Sequence, residues 1–190
     1  MSIQYRSLSK EEIPADFLLH FERRQEVTHR YCWRGKRLVC RRDKRIEDWN
    51  DDDRQKITHG LSGVLDSGGA VFGAFDGEQL AGFASVRGDL MGSQAQLLQL
   101  EMLHVSLEHR NRGIGKTLFE LAARAARERA AQKLYISANS ARESVLFYRA
   151  RDCVPTTEII PALHEQEPWD IHMEYDLGLA YQKSQVPASV

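Results

Sequence analysis

The chain has 190 residues, with 26 Lys and Arg against 27 Asp and Glu, which fits one domain of ordinary size and a formal net charge of -1. This balance offers no basic excess for binding nucleic acid or an anionic membrane, so neither is expected as a partner. Three cysteines without CxxC spacing argue against a disulfide framework or a thiolate zinc site, and the lack of a hydrophobic leader or a long apolar run indicates a cytoplasmic protein.

The first third of the chain predicts a strand, two helices and a charged segment between them. Residues 3–8 alternate weakly and favour an opening strand. Ser9 and Glu12 have the spacing of a capping box, which predicts a helix. The apolar stripe of this helix consists of Ile13, Phe17, Leu18 and Phe21. Residues 26–45 are rich in cations and lack a clear period, so they indicate a charged loop or a hairpin. Acidic residues after Asn50 then favour the start of a second helix.

The middle of the chain predicts three strands and a long helix. The strands are expected at residues 70–75, 80–86 and 95–105, and Asp76-Gly77 has the turn chemistry of a hairpin between the first two. Apolar residues recur at helical spacing after residue 115, so one side of that helix should face a sheet. The sheet-facing residues are predicted to be Leu118, Leu121, Ala122 and Ala125.

The last third predicts a strand at residues 133–138, a short helix that ends near Tyr148 and a strand that contains Cys153. Residues 169–177 alternate strictly between apolar and polar side chains, which is typical of a half-buried strand. The predicted order is therefore β-α-α-β-β-β-α-β-α-β-β. We expect a single domain over residues 1–177 and a flexible tail over 178–190.

The segment between the third middle strand and the long helix predicts a site for a phosphate or pyrophosphate. The first turn of a helix has unpaired N–H groups and a positive dipole end, which favour an anion. Gly113 and Gly115 let a ligand approach the main chain, and Lys116 and Thr117 add a cation and a hydroxyl.

Two kinds of nucleotide-type loop share this arrangement, and spacing separates them. A P-loop needs a glycine, then four residues and then Gly-Lys-Ser/Thr, but Arg110 stands at the position of the first glycine. The pattern Gln/Arg, two residues, Gly, one residue, Gly/Ala is matched in full by Arg110, Gly113 and Gly115. Asn139 and Phe147-Tyr148 follow at the right places downstream. In these residues the chain resembles the GNAT superfamily of N-acyltransferases.

The resemblance implies an α/β fold with a mixed, mostly antiparallel central sheet of six to seven strands, flanked by about four helices. It also implies an enzyme that transfers an acetyl group from acetyl-CoA to a primary amine by direct attack in a ternary complex. Residues 151–153 read Arg-Asp-Cys where the family usually has Leu-Gly-Phe. This departure keeps open a non-catalytic acyl-CoA-binding or interaction module of the same fold. The missing glycine argues against a nucleotide hydrolase.

The resemblance also implies where coenzyme A would bind. The loop amides would hold the pyrophosphate, nearby cations would add charge, and the main chain of the strand before the loop would pair with the pantetheine. These coenzyme-binding residues are Leu103, His104, Val105, Arg110, Arg112, Gly113, Ile114, Gly115, Lys116, Thr117 and Asn139. Asn139 has a second interpretation, as a cap of the following helix.

Two residues are predicted to transfer protons. Tyr148 is the candidate general acid, because a phenol stays protonated at neutral pH and can donate to a leaving thiolate. Glu101 is the candidate general base, because burial in an otherwise apolar strand would raise its pKa; a water chain is the alternative. Strict alternation predicts that Gln99, Glu101 and Leu103 share one face of the strand.

The acceptor is expected to be a small-molecule or peptide amine. In the family the segments corresponding to residues 23–45 and 160–169 wall off the acceptor site, and here both contain carboxylates that would favour a cationic amine. The histidines show neither HExxH nor HxH spacing, so no metal is expected. The sequence does not determine the oligomeric state, and a homodimer is compatible with it.

Overall fold

Nine strands and four α-helices make up the protein in a computed structural model that describes residues 2–178. The strands are β1 Gln4–Ser7, β2 Gln25–Arg34, β3 Arg37–Glu47, β4 Ala70–Asp76, β5 Gln79–Val86, β6 Leu97–Val105, β7 Lys133–Ala138, β8 Val154–Pro155 and β9 Ile171–Asp176. The helices are α1 Asp51–Asp66, α2 Ile114–Glu128, α3 Arg142–Arg149 and α4 Pro161–Gln166. Over residues 2–178, no helix has the length and apolar character needed to cross a membrane. The predicted tail lies outside the described residues, apart from Gly178.

The main sheet has seven strands in the order β1-β4-β5-β6-β7-β9-β8. Only β6 and β7 are parallel, so the prediction of a mostly antiparallel mixed sheet is confirmed. The pairing of β6 with β7 ends at Leu100 opposite Ile136, although both strands continue beyond these residues. The two strands therefore diverge and leave a wedge in the middle of the sheet.

Helices cover both faces of this sheet and bury two apolar cores. The larger core contains Ile114, Leu118 and Ala122 of α2, and the smaller one contains Leu61 and Val64 of α1. Full burial of a side chain such as Leu118 contributes about 1.5–3 kcal/mol to folding. The α2 core supports the helix start that lies beside the wedge.

The close approach of α2 to the sheet depends on a glycine in β5. A Cβ added to Gly82 would lie 3.1 Å from side-chain atoms of both Ile114 and Leu118, and 2.9 Å from the His104 carbonyl oxygen. Most Cβ contacts in proteins are longer, so a larger residue would push α2 away. Gly82 thereby holds the start of α2 close to β6.

The prediction of an α-helix after Ser9 is wrong. The capping box is present, but only Lys10–Glu12 form a single turn of 3-10 helix. Pro14 explains the early end, since proline lacks an N–H and disfavours helical backbone at the residue before it. Ile13 accordingly has φ -117° and ψ 69°. Three of the four residues of the predicted stripe are nevertheless buried, namely Ile13, Leu18 and Phe21.

The cation-rich residues 26–45 lie in the hairpin of β2 and β3. Of the two predicted alternatives, a charged loop or a hairpin, the hairpin is therefore confirmed. The hairpin does not join the main sheet but lies beside the start of α3, where the Tyr31 N–H donates to the Ser140 carbonyl oxygen at 2.8 Å. Glu47 at the end of β3 is thereby brought to the wedge. Sequence patterns did not predict α4, which packs nearby through a hydrogen bond of 3.2 Å between His164 Nδ1 and His172 Nε2.

Candidate active site

A cavity of about 1140 Å³ opens at the wedge between β6 and β7. Its lining comes from segments that are distant in the chain but meet where the two strands part. The loop before α2 contributes Asn111 and Gly113 at one end of the cavity, and the first turn of α2 contributes Gly115. Tyr148 of α3 and Glu101 of β6 also line it, so the two predicted catalytic residues share one cavity.

Glu101 lies in a β-bulge of β6. Leu100 is opposite Val86 of β5 and Met102 is opposite Ser85, which leaves Glu101 without a partner residue. A bulge inserts one extra residue and redirects its side chain. The bulge thus takes the Glu101 side chain out of the regular alternation between the two faces of the strand. This occurs where β7 separates from β6.

The bulge also makes the prediction about the faces of this strand wrong. Leu98 and Leu100 belong to the core on the α2 side, and Leu103 and Val105 pack against that same core. Even-numbered positions before the bulge and odd-numbered positions after it therefore share a face. Gln99 and Leu103 do not, because the extra residue changes the parity of the strand.

The Glu101 carboxylate has one paired and one unpaired oxygen. Arg87 Nη1 donates to Oε1 at 3.2 Å, while Oε2 is buried and has no donor within bonding geometry among residues 2–178. Burial raises the pKa of Glu101, and both Arg87 and the Ser85 hydroxyl oppose that shift. A carboxylate with raised pKa and a free oxygen in a cavity is suited to accept a proton.

Tyr148 lies on the inner side of α3 and is 9% exposed. Its ring packs against Phe119 and Phe147, with centroids 6.2 and 5.1 Å away. Burial, together with the negative charge of Asp170, raises the pKa of the phenol, so the hydroxyl stays protonated at neutral pH. Within the described residues this hydroxyl makes no hydrogen bond to another group, and it remains available to a ligand.

The loop before α2 presents a series of main-chain donors. No acceptor among the described residues receives a hydrogen bond from the N–H groups of residues 111–116, whereas Thr117 N–H donates to the Gly113 carbonyl. Asn111 and Gly113 have φ of 61° and 80°. Left-handed residues next to a helix start turn successive N–H groups toward one point and form an anion-binding concavity. This geometry fits the pyrophosphate of coenzyme A.

Arg110 holds the base of this loop in place. Its Nε donates to the Val105 carbonyl at 3.0 Å, and its two terminal nitrogens donate to the carbonyls of Arg24 and Arg23 at 2.8 and 2.7 Å. These bonds join the end of β6 to the segment that precedes β2. The three bonds satisfy each nitrogen of the guanidinium, so Arg110 positions the main chain around the cavity.

The other two predicted cations differ in their surroundings. Arg112 forms an ion pair with Asp76 at 3.3 Å and contacts His109 Nδ1 at 2.9 Å. Lys116 lines the cavity and is exposed, and its ion pair with Glu120 spans 3.8 Å. An exposed ion pair of this length contributes little to stability. Little free energy is therefore lost if Lys116 leaves Glu120 to pair with a phosphate.

The end of β6 borders the cavity along one edge. Leu103, His104 and Val105 pair with β5 on one side, and beyond Leu100 no strand of residues 2–178 pairs with the other side. The ring of His104 packs edge-on against Trp49 with centroids 4.8 Å apart. Burial and the nearby cations lower the pKa of His104 to about 3, so it is neutral at pH 7 and is a poor general base there.

Asn139 connects the end of β7 to the hairpin. Its Oδ1 accepts from the Ala141 N–H at 2.8 Å, which orders the entry into α3, and its Nδ2 donates to the Glu47 carboxylate at 3.1 Å. Glu47 also accepts from Arg23 at 3.1 Å and from Arg45. Sequence reasoning missed Glu47, because its position at the wedge depends on the packing of β3 beside α3.

Asp170 is a second carboxylate that sequence reasoning missed. It directly precedes β9 and lines the cavity, and the Ser137 hydroxyl favours its charged form. Burial and the neighbouring charges of Glu167 and Glu47 raise the pKa of Asp170 to about 7. The alternation in residues 169–177 identified the strand but assigned Asp170 only to its polar face.

Residues 151–153 are Arg-Asp-Cys where the family usually has Leu-Gly-Phe. Asp152 replaces the usual glycine and takes a left-handed φ of 61°, which Asp tolerates better than most residues. Cys153 is buried in the α2 core. The guanidinium of Arg151 lies over the ring of Phe147, 3.5 Å from its centroid. The same ring also lies close to Gly115, where an added Cβ would be 3.1 Å away.

Comparisons with known proteins agree with this geometry. The model of the Acetyltransferase (GNAT) family matches residues 26–152, more than half of the chain. The structure resembles that of nourseothricin acetyltransferase, with a TM-score of 0.70 and 19% identity, covering 93% of this chain and 99% of that one. Among curated proteins, none matches the sequence.

Two further solved structures share the fold and contain the coenzyme. The first, provisionally named streptothricin acetyltransferase from Bacillus anthracis, includes acetyl coenzyme A; it has a TM-score of 0.64 and 16% identity, covering 93% of this chain and 98% of that one. The PaiA N-acetyltransferase from Thermoplasma acidophilum includes coenzyme A; it has a TM-score of 0.57 and 18% identity, covering 93% of this chain and 99% of that one. With the family match, the diverging strands and the donor-rich loop, these findings show that the chain belongs to the GNAT acetyltransferase family.

Proposed function

We propose that this protein transfers the acetyl group of acetyl-CoA to a primary amine by direct attack within a ternary complex. The observation that carries the proposal is the shared cavity, which has unpaired main-chain N–H groups at one end and Glu101 and Tyr148 at the wedge. The first feature suits an anionic coenzyme and the second suits proton transfer at an amine and a thiolate. Both requirements of the reaction are therefore met in one place.

The residues at the wedge have complementary proton affinities. The unpaired Oε2 of Glu101 accepts a proton from the attacking amine, and the protonated hydroxyl of Tyr148 donates one to the departing sulfur. When bound, acetyl-CoA supplies a thioester whose carbon–sulfur bond breaks as the carbon–nitrogen bond forms, giving an amide and a free thiol. Backbone donors at the edge of β6 and in the loop orient the coenzyme for this attack.

The acceptor is proposed to be a cationic amine, small or peptidic. Carboxylates of Glu47, Glu167 and Asp170 also line the cavity. An ammonium group is favoured beside negative charge in a partly buried site. Two structural neighbours are named for nourseothricin and streptothricin, so streptothricin is a reasonable probe beside simpler amines.

Calorimetry tests the coenzyme half of the proposal first. We expect acetyl-CoA to bind the purified protein and ATP with magnesium to give no heat of binding. Binding of ATP alone, or of neither ligand, would contradict the proposal. Thiol release from acetyl-CoA then tests the transfer step with a panel of spermidine, cadaverine, L-lysine, tyramine and streptothricin. Release that depends on an amine, with the acetylated amine detected by mass spectrometry, is the expected result.

A further inference from the structure

We propose that Asp170 is a second catalytic carboxylate, which removes the proton from the acceptor ammonium so that the free amine can attack. This role rests on the proposed function and adds to that of Glu101. A protonated amine has no lone pair, so one proton must leave before the carbon–nitrogen bond can form. The cavity must therefore provide for two successive proton losses from nitrogen.

The strand registers bring Asp170 to the wedge. Pairing between β7 and β9 ends at Ala138 opposite Ile171, so Asp170 occupies the next position, beside Asn139. The Ser137 hydroxyl of β7 favours the charged form of its carboxylate. The register therefore places Asp170 on the arm of the wedge formed by β7.

Glu101 occupies the corresponding place on the other arm. The last pair between β6 and β7 is Leu100 with Ile136, so the next residues are Glu101 on β6 and Ser137 on β7. Both line the cavity, as does Asp170. The two carboxylates thus belong to opposite arms, and an amine that enters the wedge lies between them.

The charges around the two carboxylates separate their roles. Arg87 forms an ion pair with Glu101, whereas within residues 2–178 no cation forms an ion pair with Asp170. The groups that act electrostatically on Asp170, or are acted on by it, are Glu167 before β9, Glu47 and Arg45 of β3, Ser137 of β7 and Tyr148 of α3. With a pKa of about 7, Asp170 exchanges protons readily at neutral pH. Pairs of carboxylates in unlike environments commonly divide proton transfer in this way.

Asp170, Glu101 and Tyr148 together account for every proton transferred in the reaction. Asp170 takes the first proton from the ammonium and releases it to solvent. Glu101 takes the second proton as nitrogen bonds to the carbonyl carbon, and Tyr148 donates its proton to sulfur as the carbon–sulfur bond breaks. Solvent returns the proton of Glu101 to Tyr148. One proton is released for each amine acetylated, as the change from ammonium to amide requires.

The test is the pH dependence of amine acetylation by the wild-type protein and the variant Asp170→Asn. Rates of thiol release would be measured from about pH 6 to about pH 9 with the best acceptor of the panel. In the wild type we expect kcat/KM for the amine to rise through a step near pH 7, since Asp170 accepts a proton only above its pKa. Asp170→Asn should lose this step, fall about a hundredfold near pH 7 and recover in part near pH 9, where more of the amine is already free.

Two further variants make the result specific. Glu78→Gln removes an exposed carboxylate of the turn between β4 and β5 that does not line the cavity, and it should keep the wild-type profile. Ser137→Ala removes a hydroxyl that favours the charged form of Asp170, so the step should move to higher pH. This variant also carries the test if Asp170→Asn does not fold. The affinity for acetyl-CoA should be unchanged in every variant.

Several outcomes would overturn the role of Asp170. One is a wild-type pH profile in Asp170→Asn, and another is a step that does not move in Ser137→Ala. A KM for the amine that rises equally at all pH values, with no change in the profile, would show charge attraction and not proton transfer. A wild-type protein that acetylates no amine would overturn the proposed function, and the role of Asp170 with it.

Discussion

The two ends of the cavity are built in different ways. The proposed coenzyme end has unpaired main-chain N–H groups in one short segment, residues 111–116. The proposed acceptor end is lined by side chains from distant elements, and the hydrogen bond between Asn139 and Glu47 joins residues 92 positions apart. A main-chain site requires only a local backbone shape, whereas a side-chain site requires correct packing of several elements. The comparison implies that changes at the two ends alter different measured quantities.

The largest effect is expected at the acceptor end with Glu101→Gln. The amide has the size of the carboxylate but cannot accept the proton, so kcat/KM for the amine should fall about a hundredfold at every pH tested. This constant loss distinguishes it from Asp170→Asn, whose loss should shrink at high pH. Steady-state thiol release provides the measurement, and calorimetry should give a wild-type affinity for acetyl-CoA. A variant with wild-type rates would remove Glu101 from the mechanism.

Tyr148→Phe should give the next largest effect and should separate turnover from binding. The ring keeps its packing against Phe119, but the proton donor is lost, so kcat should fall by more than about tenfold. The Kd for acetyl-CoA should stay nearly the same. Tyr175→Phe is the matched control, since Tyr175 contacts the same Phe119 ring at 5.0 Å but does not line the cavity. Equal rates for the two variants would contradict the assignment of Tyr148.

At the coenzyme end, Gly113→Ala should change binding. An alanine at φ 80° is strained by about 1–2 kcal/mol, and relief of that strain would turn the loop N–H groups away from one point. We expect the Kd for acetyl-CoA to rise about tenfold, which corresponds to about 1.4 kcal/mol. Gly35→Ala is a matched control in the hairpin turn, with φ 56° and equally open space around the added Cβ. If both variants bind acetyl-CoA equally well, the loop is not the anion site.

The smallest effect is expected for Lys116→Ala. Its ammonium group is exposed and would meet the coenzyme phosphates in solvent, where charge pairs contribute about 1 kcal/mol or less. The Kd for acetyl-CoA should rise by a few fold at low salt, and this difference should shrink as salt is added. Lys56→Ala, which removes an exposed lysine of α1, should leave the Kd unchanged. A loss as large as that of Gly113→Ala would show that side-chain charge dominates this end.

The coenzyme end could be predicted because its signals are local. Spacing of Arg110, Gly113 and Gly115 is sufficient to indicate a tight turn into a helix, and the structure contains that turn. The role of Arg110 required the fold, since its guanidinium binds carbonyls of Arg23 and Arg24 far back in the chain. Local patterns specify backbone conformation more fully than they specify where a long side chain ends.

The acceptor end was predicted less completely. Glu101 was identified as the single carboxylate of an apolar strand, but the shared face with Gln99 and Leu103 was wrong, because a bulge depends on pairing with β5. Glu47 and Asp170 gave no sequence signal, since an acidic residue near the end of a strand is usually solvated. The helix predicted after Ser9 failed at Pro14, a local signal that outweighed the apolar stripe.

The sequence by itself determined the family, the strand and helix order from α1 through α3, and the donor-rich loop, because hydrophobic period and glycine spacing act over a few residues. Only the tertiary structure decided which carboxylates share the wedge and which of their oxygens lack a partner. Burial and strand register set those properties, and both depend on contacts between segments far apart in the chain. The pKa of Asp170 is raised because the fold buries this carboxyl and brings Glu167 and Glu47 close to it.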